Sequence, residues 1–264
     1  MNTKLPIFEV LDELIEKLVR TKRVVLTAPP GAGKSTAVPI ILNKHPAFAN
    51  GKIIVLEPRR LAAKQVASRM AETLGEKIGR TVGYRIRGET KCGEQTKVEV
   101  VTEGILIRMI QEDQQLTGVS TVIFDEFHER SLNADLGLAF CLEIASILRV
   151  DLKILVMSAT LEISSVSKLM QDAPIVSCEG KSFPVTPRWQ TKPVVHDQFI
   201  TKLITDVILE AIVENKGSIL VFLPGEPEII KLQASLKNKV PDNCHVFPLY
   251  GRLEFKDQQK AIKP

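Results

Sequence analysis

A chain of 264 residues with 44% hydrophobic and 25% charged side chains has the balance of a globular protein, long for one domain and short for two complete ones. Its net charge of +4 permits a polyanionic partner without requiring one. The four cysteines, Cys92, Cys141, Cys178 and Cys244, form no CxxC pair and have no histidine cluster beside them, which excludes a disulfide framework and a zinc site and points to free thiols in a reducing cytoplasm.

The N-terminal stretch MNTKLPIFEVLDELIEKL lacks the long apolar segment of a signal peptide. Nowhere does an apolar run reach the ~18 residues of a membrane-spanning helix. Ile7, Leu11, Leu14, Ile15 and Leu18 recur at helical spacing, which predicts an amphipathic helix over 7–20. Short β-branched runs follow: RVVLTA at 23–28, KIIVLE at 52–57, KVEVVT at 97–102, TVIFDE at 121–126, KILVMSA at 153–159 and APIVSC at 173–178. Helix-like stretches such as LAAKQVASRMAETLG at 61–75 separate several of them. Strands alternating with helices imply βαβ units and a parallel sheet covered on both faces.

The first domain is therefore expected over 1–178. Residues 179–197 carry Pro184, Pro187 and Pro193 and read as a linker. Beyond it a helix at 198–215 precedes GSILVFLPG at 217–225, then another helix and HVFPLYG at 245–251. Read as helices and strands, 198–264 is the opening of a second α/β domain.

The segment LTAPPGAGKSTAVP at 26–39 reads as a strand, a tight glycine turn and a helix start. Its G-x-G-K-S-T core is the second half of a phosphate-binding loop. Backbone N–H groups around Gly31, Ala32, Gly33, Lys34, Ser35 and Thr36 suit phosphate oxygens, and the helix N-terminus adds its dipole. Lys34 supplies a point charge and Ser35 a hydroxyl for Mg²⁺. The full pattern has glycine where Ala28 stands, a replacement that is tolerable if φ stays negative. A plain glycine turn capping a helix is the simpler alternative.

DEFHER at 125–130 places two carboxylates at the end of an apolar strand. Alone they would read as solvated acids. Beside a phosphate loop, Asp125 suits Mg²⁺ and Glu126 suits the orientation and deprotonation of a water. His128 alone would read as a packed or capping histidine.

Together these segments resemble the DExH/DEAH-box helicases, superfamily 2 proteins with tandem RecA-like domains. APPGAGKST resembles motif I, EPRRLAA (57–63) motif Ia, VVTEG (100–104) motif Ib, DEFHER motif II, MSAT (157–160) motif III and LVFLPG (220–225) motif IV. VGYRIRGE (82–89) resembles the hook-turn region. The wording of EPRRLAA and DEFHERSLNADL most resembles the bacterial HrpB-type ATP-dependent helicases. The match runs from about residue 20 to the end.

The resemblance implies an α/β fold with a P-loop RecA-like sheet domain and the start of a second. It implies ATP-dependent helicase activity with ATP and Mg²⁺ as cofactors. Lys34, Ser35, Asp125 and Glu126 would serve nucleotide and metal, while His128, Ser158 and Thr160 couple hydrolysis to domain movement. Arg59, Arg60, Thr102 and Glu103 would touch a nucleic-acid backbone, with Arg69 a further candidate for stacking on a base. The partner implied is single-stranded nucleic acid, RNA ahead of DNA, bound without base readout and in the cytoplasm. No segment resembles the family's motifs V and VI, so the chain is expected to be an N-terminal portion of a longer helicase, and a nucleic-acid-binding remnant without turnover is the alternative. A P-loop kinase of a small molecule fits MSAT and EPRRLAA poorly. The absence of G-x-S-x-G argues against a serine hydrolase.

Overall fold

In the computed structural model, described for residues 5–159, 164–180, 184–189 and 197–262, two units divide the chain at Pro184 and Val185. The first is built on eight strands: β1 (Arg23–Thr27), β2 (Lys52–Glu57), β3 (Val82–Ile86), β4 (Glu89–Lys91), β5 (Val98–Thr102), β6 (Val119–Phe124), β7 (Lys153–Ser158) and β8 (Ile175–Ser177). They form one sheet in the order β4-β3-β5-β2-β6-β7-β1-β8. Every pairing is parallel except β3 with β4, which is antiparallel. The parallel α/β architecture expected from the sequence is thus the one observed.

Alternation along the strands sorts the core into two layers. Val24, Leu26, Ile53, Val55, Val98, Val100, Leu155 and Met157 face one side. There they meet α1 (Leu11–Thr21), α2 (Lys34–Lys44) and α3 (Arg60–Leu74). Val25, Ile54, Leu56, Val101, Val122, Phe124, Ile154 and Val156 face the other. There α4 (Glu103–Glu112), α5 (Leu132–Ile147) and α6 (Ser164–Leu169) cover them. β6 and β7 are buried along their whole length, as a doubly covered sheet requires.

The opening segment is shorter as an α-helix than its periodicity predicts. Pro6–Val10 forms a 3₁₀ turn and α1 begins at Leu11, after Val10, whose φ −114° and ψ 3° interrupt the α-helical backbone. Gly75 ends α3 in the left-handed conformation, its N–H returning to Glu72 and that of Glu76 to Ala71. β3 and β4 were not expected as strands. Gly83 and the charges of Arg85, Arg87 and Glu89 dilute the β signal there.

The second unit holds α7 (Asp197–Glu214), α8 (Glu226–Leu236) and α9 (Phe255–Ile262). Ile208, Leu232 and Leu236 are its buried cluster. The strands expected at 217–225 and 245–251 are not formed: both segments lack ladder hydrogen bonds among the described residues. A strand exists only against a neighbour. Val221 and Leu223 rest on the small cluster, while Leu220 and Phe222 point outward at 72% and 87% exposure. The alternating pattern is present but has no sheet to join. Of the expected linker, residues 179–180 and 184–189 are described and carry no regular structure.

Candidate nucleotide site

The C-terminal ends of five adjacent parallel strands bring together residues far apart in sequence. Register places Thr102 beside Glu57 across β5 and β2, and Leu56 beside Phe124 across β2 and β6. The Asp125 N–H then donates to the Leu56 carbonyl at 3.0 Å. Thr27 pairs with Ser158 across β1 and β7, and the Ala28 N–H donates to Ser158 O at 3.0 Å. Ala28 is buried and is absent from the residues with positive φ, so the missing glycine costs the turn nothing. Ligand sites in open parallel sheets form at this edge.

Two glycines shape the loop after β1. Gly31 has φ +78° and Gly33 φ +95°, a region that only glycine enters cheaply. The loop is pinned from outside by the N-terminal turn: the Ile7 N–H donates to Ala32 O at 3.2 Å. A Cβ on Gly33 would stand 2.8 Å from Leu5 Cδ1. α2 begins at Lys34, so its free N–H groups and positive dipole end face the loop, with Ser35 and Thr36 in its first turn.

The Lys34 side chain is buried, and its Nζ lies 3.0 Å from Glu126 Oε1. Asp125 is buried at the end of β6. Its Oδ1 accepts from the Glu126 N–H at 2.8 Å, and the Ser35 hydroxyl bonds to its carboxylate. Asp125 Oδ2 receives no ordinary donor. Burial raises the Asp125 pKa, with the Ser35 hydrogen bond and the Lys34 charge working against it.

Glu126 sits at φ +48°, unusual for a residue with a side chain. It opens a 3₁₀ turn over Phe127–Glu129 that ends at Arg130, φ +44°. Buried Phe127 anchors the turn by packing edge-on against Phe124, with centroids 6.1 Å apart. His128 Nδ1 accepts from the Ala159 N–H at 3.3 Å and lies 3.4 Å from Glu126 Oε2. It therefore touches both the acid turn and the end of β7. Ser158 is buried there. Thr160 lies outside the described residues.

One residue of the site was missed by the sequence reading. Glu57, inside the quoted EPRRLAA, was assigned no role. It is 2% exposed, and its carboxyl hydrogen-bonds to Asp125. Burial, then the charge of Asp125 and that hydrogen bond, push its pKa up to about 9, with Glu126 adding and Lys34 opposing. The signal that could have revealed it is the one that revealed Asp125: an acid closing a buried strand.

The residues expected to touch nucleic acid lie where β2 leads into α3 and where β5 runs directly into α4. Arg59 and Arg60 are exposed. Arg59 is held by Glu129 through two contacts of 3.1 Å, Nε to Oε2 and Nη2 to Oε1. Arg60 Nη2 donates to Arg87 O at 2.9 Å. Thr102 and Glu103 are half-buried at the start of α4. Arg69 is exposed on α3 and lies near Glu72 at 3.8 Å.

Comparison with known proteins follows the same line. Residues 9–169 match the family described as DEAD/DEAH box helicase. The chain belongs to the DEAD/DEAH box helicase family. Over 262 residues it is 49% identical to the ATP-dependent RNA helicase HrpB of Escherichia coli strain K12, covering 99% of this chain and 32% of that protein. It is 37% identical to the ATP-dependent RNA helicase HrpA of Borreliella burgdorferi, covering 98% and 32%. A crystal structure of Escherichia coli DEAH/RHA helicase HrpB superimposes with a TM-score of 0.92 over 99% of this chain and 33% of that one. The chain thus spans about a third of these relatives' length. No helix among the described residues of this helicase-family chain is long and apolar enough to cross a membrane. All four cysteines are free thiols.

Proposed function

We propose that this chain is the nucleotide-binding portion of an ATP-dependent RNA helicase, a cytoplasmic enzyme that hydrolyses ATP to move along or unwind RNA. The observation that carries the reading is the meeting of Lys34, Ser35, Asp125 and Glu126 at one sheet edge, from segments about 90 residues apart. The relatives' printed activity supports the same choice.

Backbone N–H groups of residues 31–36 cradle the phosphates, and Lys34 leaves Glu126 to meet the outer ones. The donor set fits Mg²⁺: a hydroxyl at Ser35 and an acid, Asp125, whose Oδ2 is buried without an ordinary donor. Bound there, Mg²⁺ would neutralise charge building on the phosphate oxygens. Once freed from Lys34, Glu126 orients a water and takes its proton. His128 reports the change to the end of β7, where Ser158 and Thr160 pass it toward domain movement. Arg59, Arg60, Thr102 and Glu103 line the path of a single strand, RNA in preference to DNA, by gripping its backbone. The Arg59–Glu129 pair lies at the surface and is cheap to exchange for phosphate.

Titration with a fluorescent ATP analogue tests the reading. Lys34→Ala removes a charge-assisted contact worth roughly 1.5–3 kcal/mol, which weakens binding about 10- to 100-fold. Unchanged affinity in a folded variant would sink the assignment.

A further inference from the structure

One buried carboxylate of this sheet lies between two cations. Glu99, 1% exposed on β5, has Arg85 Nε at 2.8 Å and Lys52 Nζ at 3.6 Å. Such pairing is what a buried acid requires. Glu57, 2% exposed on the neighbouring strand β2, breaks the pattern. Among the described residues, the hydrogen bond found for its side chain goes to another acid, Asp125. The cation felt there, Lys34, is already bonded to Glu126. Asp125, whose Oδ2 is buried without an ordinary donor, completes a hydrogen-bonded pair of acids, and the Ser35 hydroxyl bonds to that same Asp125 carboxylate. Fold stability alone gives no reason to keep a second acid at this place, since an apolar side chain would continue the run KIIVL.

We propose that Glu57 is a positioning residue of the nucleotide site, whose carboxyl joins Asp125 in holding the water shell of the divalent cation that accompanies the nucleotide. The proposal rests on the nucleotide-site reading above. No group of three or more His, Cys, Asp or Glu able to hold a metal directly occurs among the described residues. That suits Mg²⁺, which keeps several of its waters and takes only one or two carboxylates beside the phosphates. Waters so retained need acceptors, and two acids on adjacent strand ends provide them. Glu57 has no part in binding phosphate: Lys34 and the loop do that. Its loss should therefore separate cation dependence from nucleotide affinity. Groups that orient a metal's ligands from outside typically matter 10- to 100-fold in metal affinity.

The test uses the chain as it stands, with a fluorescent non-hydrolysable ATP analogue titrated in EDTA and then against rising Mg²⁺. Glu57→Gln preserves shape but removes the ionisable carboxyl. It should raise the half-saturating Mg²⁺ concentration about tenfold and leave affinity in EDTA as in the unmodified protein. Glu57→Ala should shift the midpoint at least as far. Where the alanine variant folds poorly, the glutamine variant decides. An unchanged Mg²⁺ midpoint in Glu57→Gln, with Mg²⁺-dependent binding intact in the unmodified chain, overturns the role of Glu57 and leaves the nucleotide site standing. Binding by the unmodified chain that ignores Mg²⁺ overturns both.

Discussion

Replacing Glu57 by glutamine should stabilise the nucleotide-free fold and flatten its response to pH. The Glu57 carboxyl ionises near its ordinary value, 4.5, when the chain unfolds, but only at about 9 when folded. Between those limits the unfolded chain has lost a proton that the folded chain keeps. Unfolding then becomes more favourable with each step upward in pH, so stability falls as pH rises from about 4.5 toward 9. Each unit is worth ~1.4 kcal/mol, which accumulates to the order of 3 kcal/mol by neutral pH. Glutamine carries no proton to lose, so the term disappears. Urea denaturation followed by circular dichroism at pH 5, 7 and 8.5, without nucleotide or Mg²⁺, measures it. The variant should gain little at pH 5 and progressively more at the higher values. A constant offset between the two profiles would refute the reasoning, because it would mean that Glu57 has the same proton affinity in both states.

Glu126→Gln should bind the ATP analogue with Mg²⁺ while any form of the protein competent for hydrolysis loses turnover, read as phosphate release; normal turnover would remove Glu126 as the base. Gly33→Ala should destabilise the first unit more than Gly31→Ala in the same urea assay. Both incur the left-handed penalty of ~1–2 kcal/mol, but only position 33 also meets Leu5 Cδ1 at 2.8 Å, Ile7 Cγ2 at 3.3 Å and Leu5 Cβ at 3.4 Å, so that Leu5 must turn aside and Ile7 give way. Equal losses would show that the N-terminal turn does not press on the loop. Arg60→Ala should lower the salt dependence of single-stranded RNA binding by about one phosphate contact; an unchanged slope in fluorescence anisotropy would take Arg60 off the RNA path.

The strands that a reader of the sequence finds are those whose apolar runs are continuous, and in the first unit each expected run became a strand of the sheet. β3 and β4 escaped because a strand near a sheet edge tolerates Gly83 and Arg85, and such residues erase periodicity. The opposite error arose at 217–225, where LVFLPG has the composition of a strand but pairs with nothing described. Composition reports what a segment could pair as; it cannot supply the neighbour. The same distinction separates Asp125 from Glu57. DE beside FH is conspicuous on the page. A single glutamate closing KIIVLE becomes meaningful only once β2 is known to lie against β6, and strand order is a property of the folded sheet.

The left-handed backbone at Glu126 carries a penalty of ~1–2 kcal/mol that glycine would escape. Relief of that strain is not free, because Glu126 is also the partner of buried Lys34. A library sorted only for heat resistance would weigh a relaxed turn against a stranded lysine, so Glu126→Gly would be sturdier only alongside a change at Lys34 that also disarms the phosphate loop.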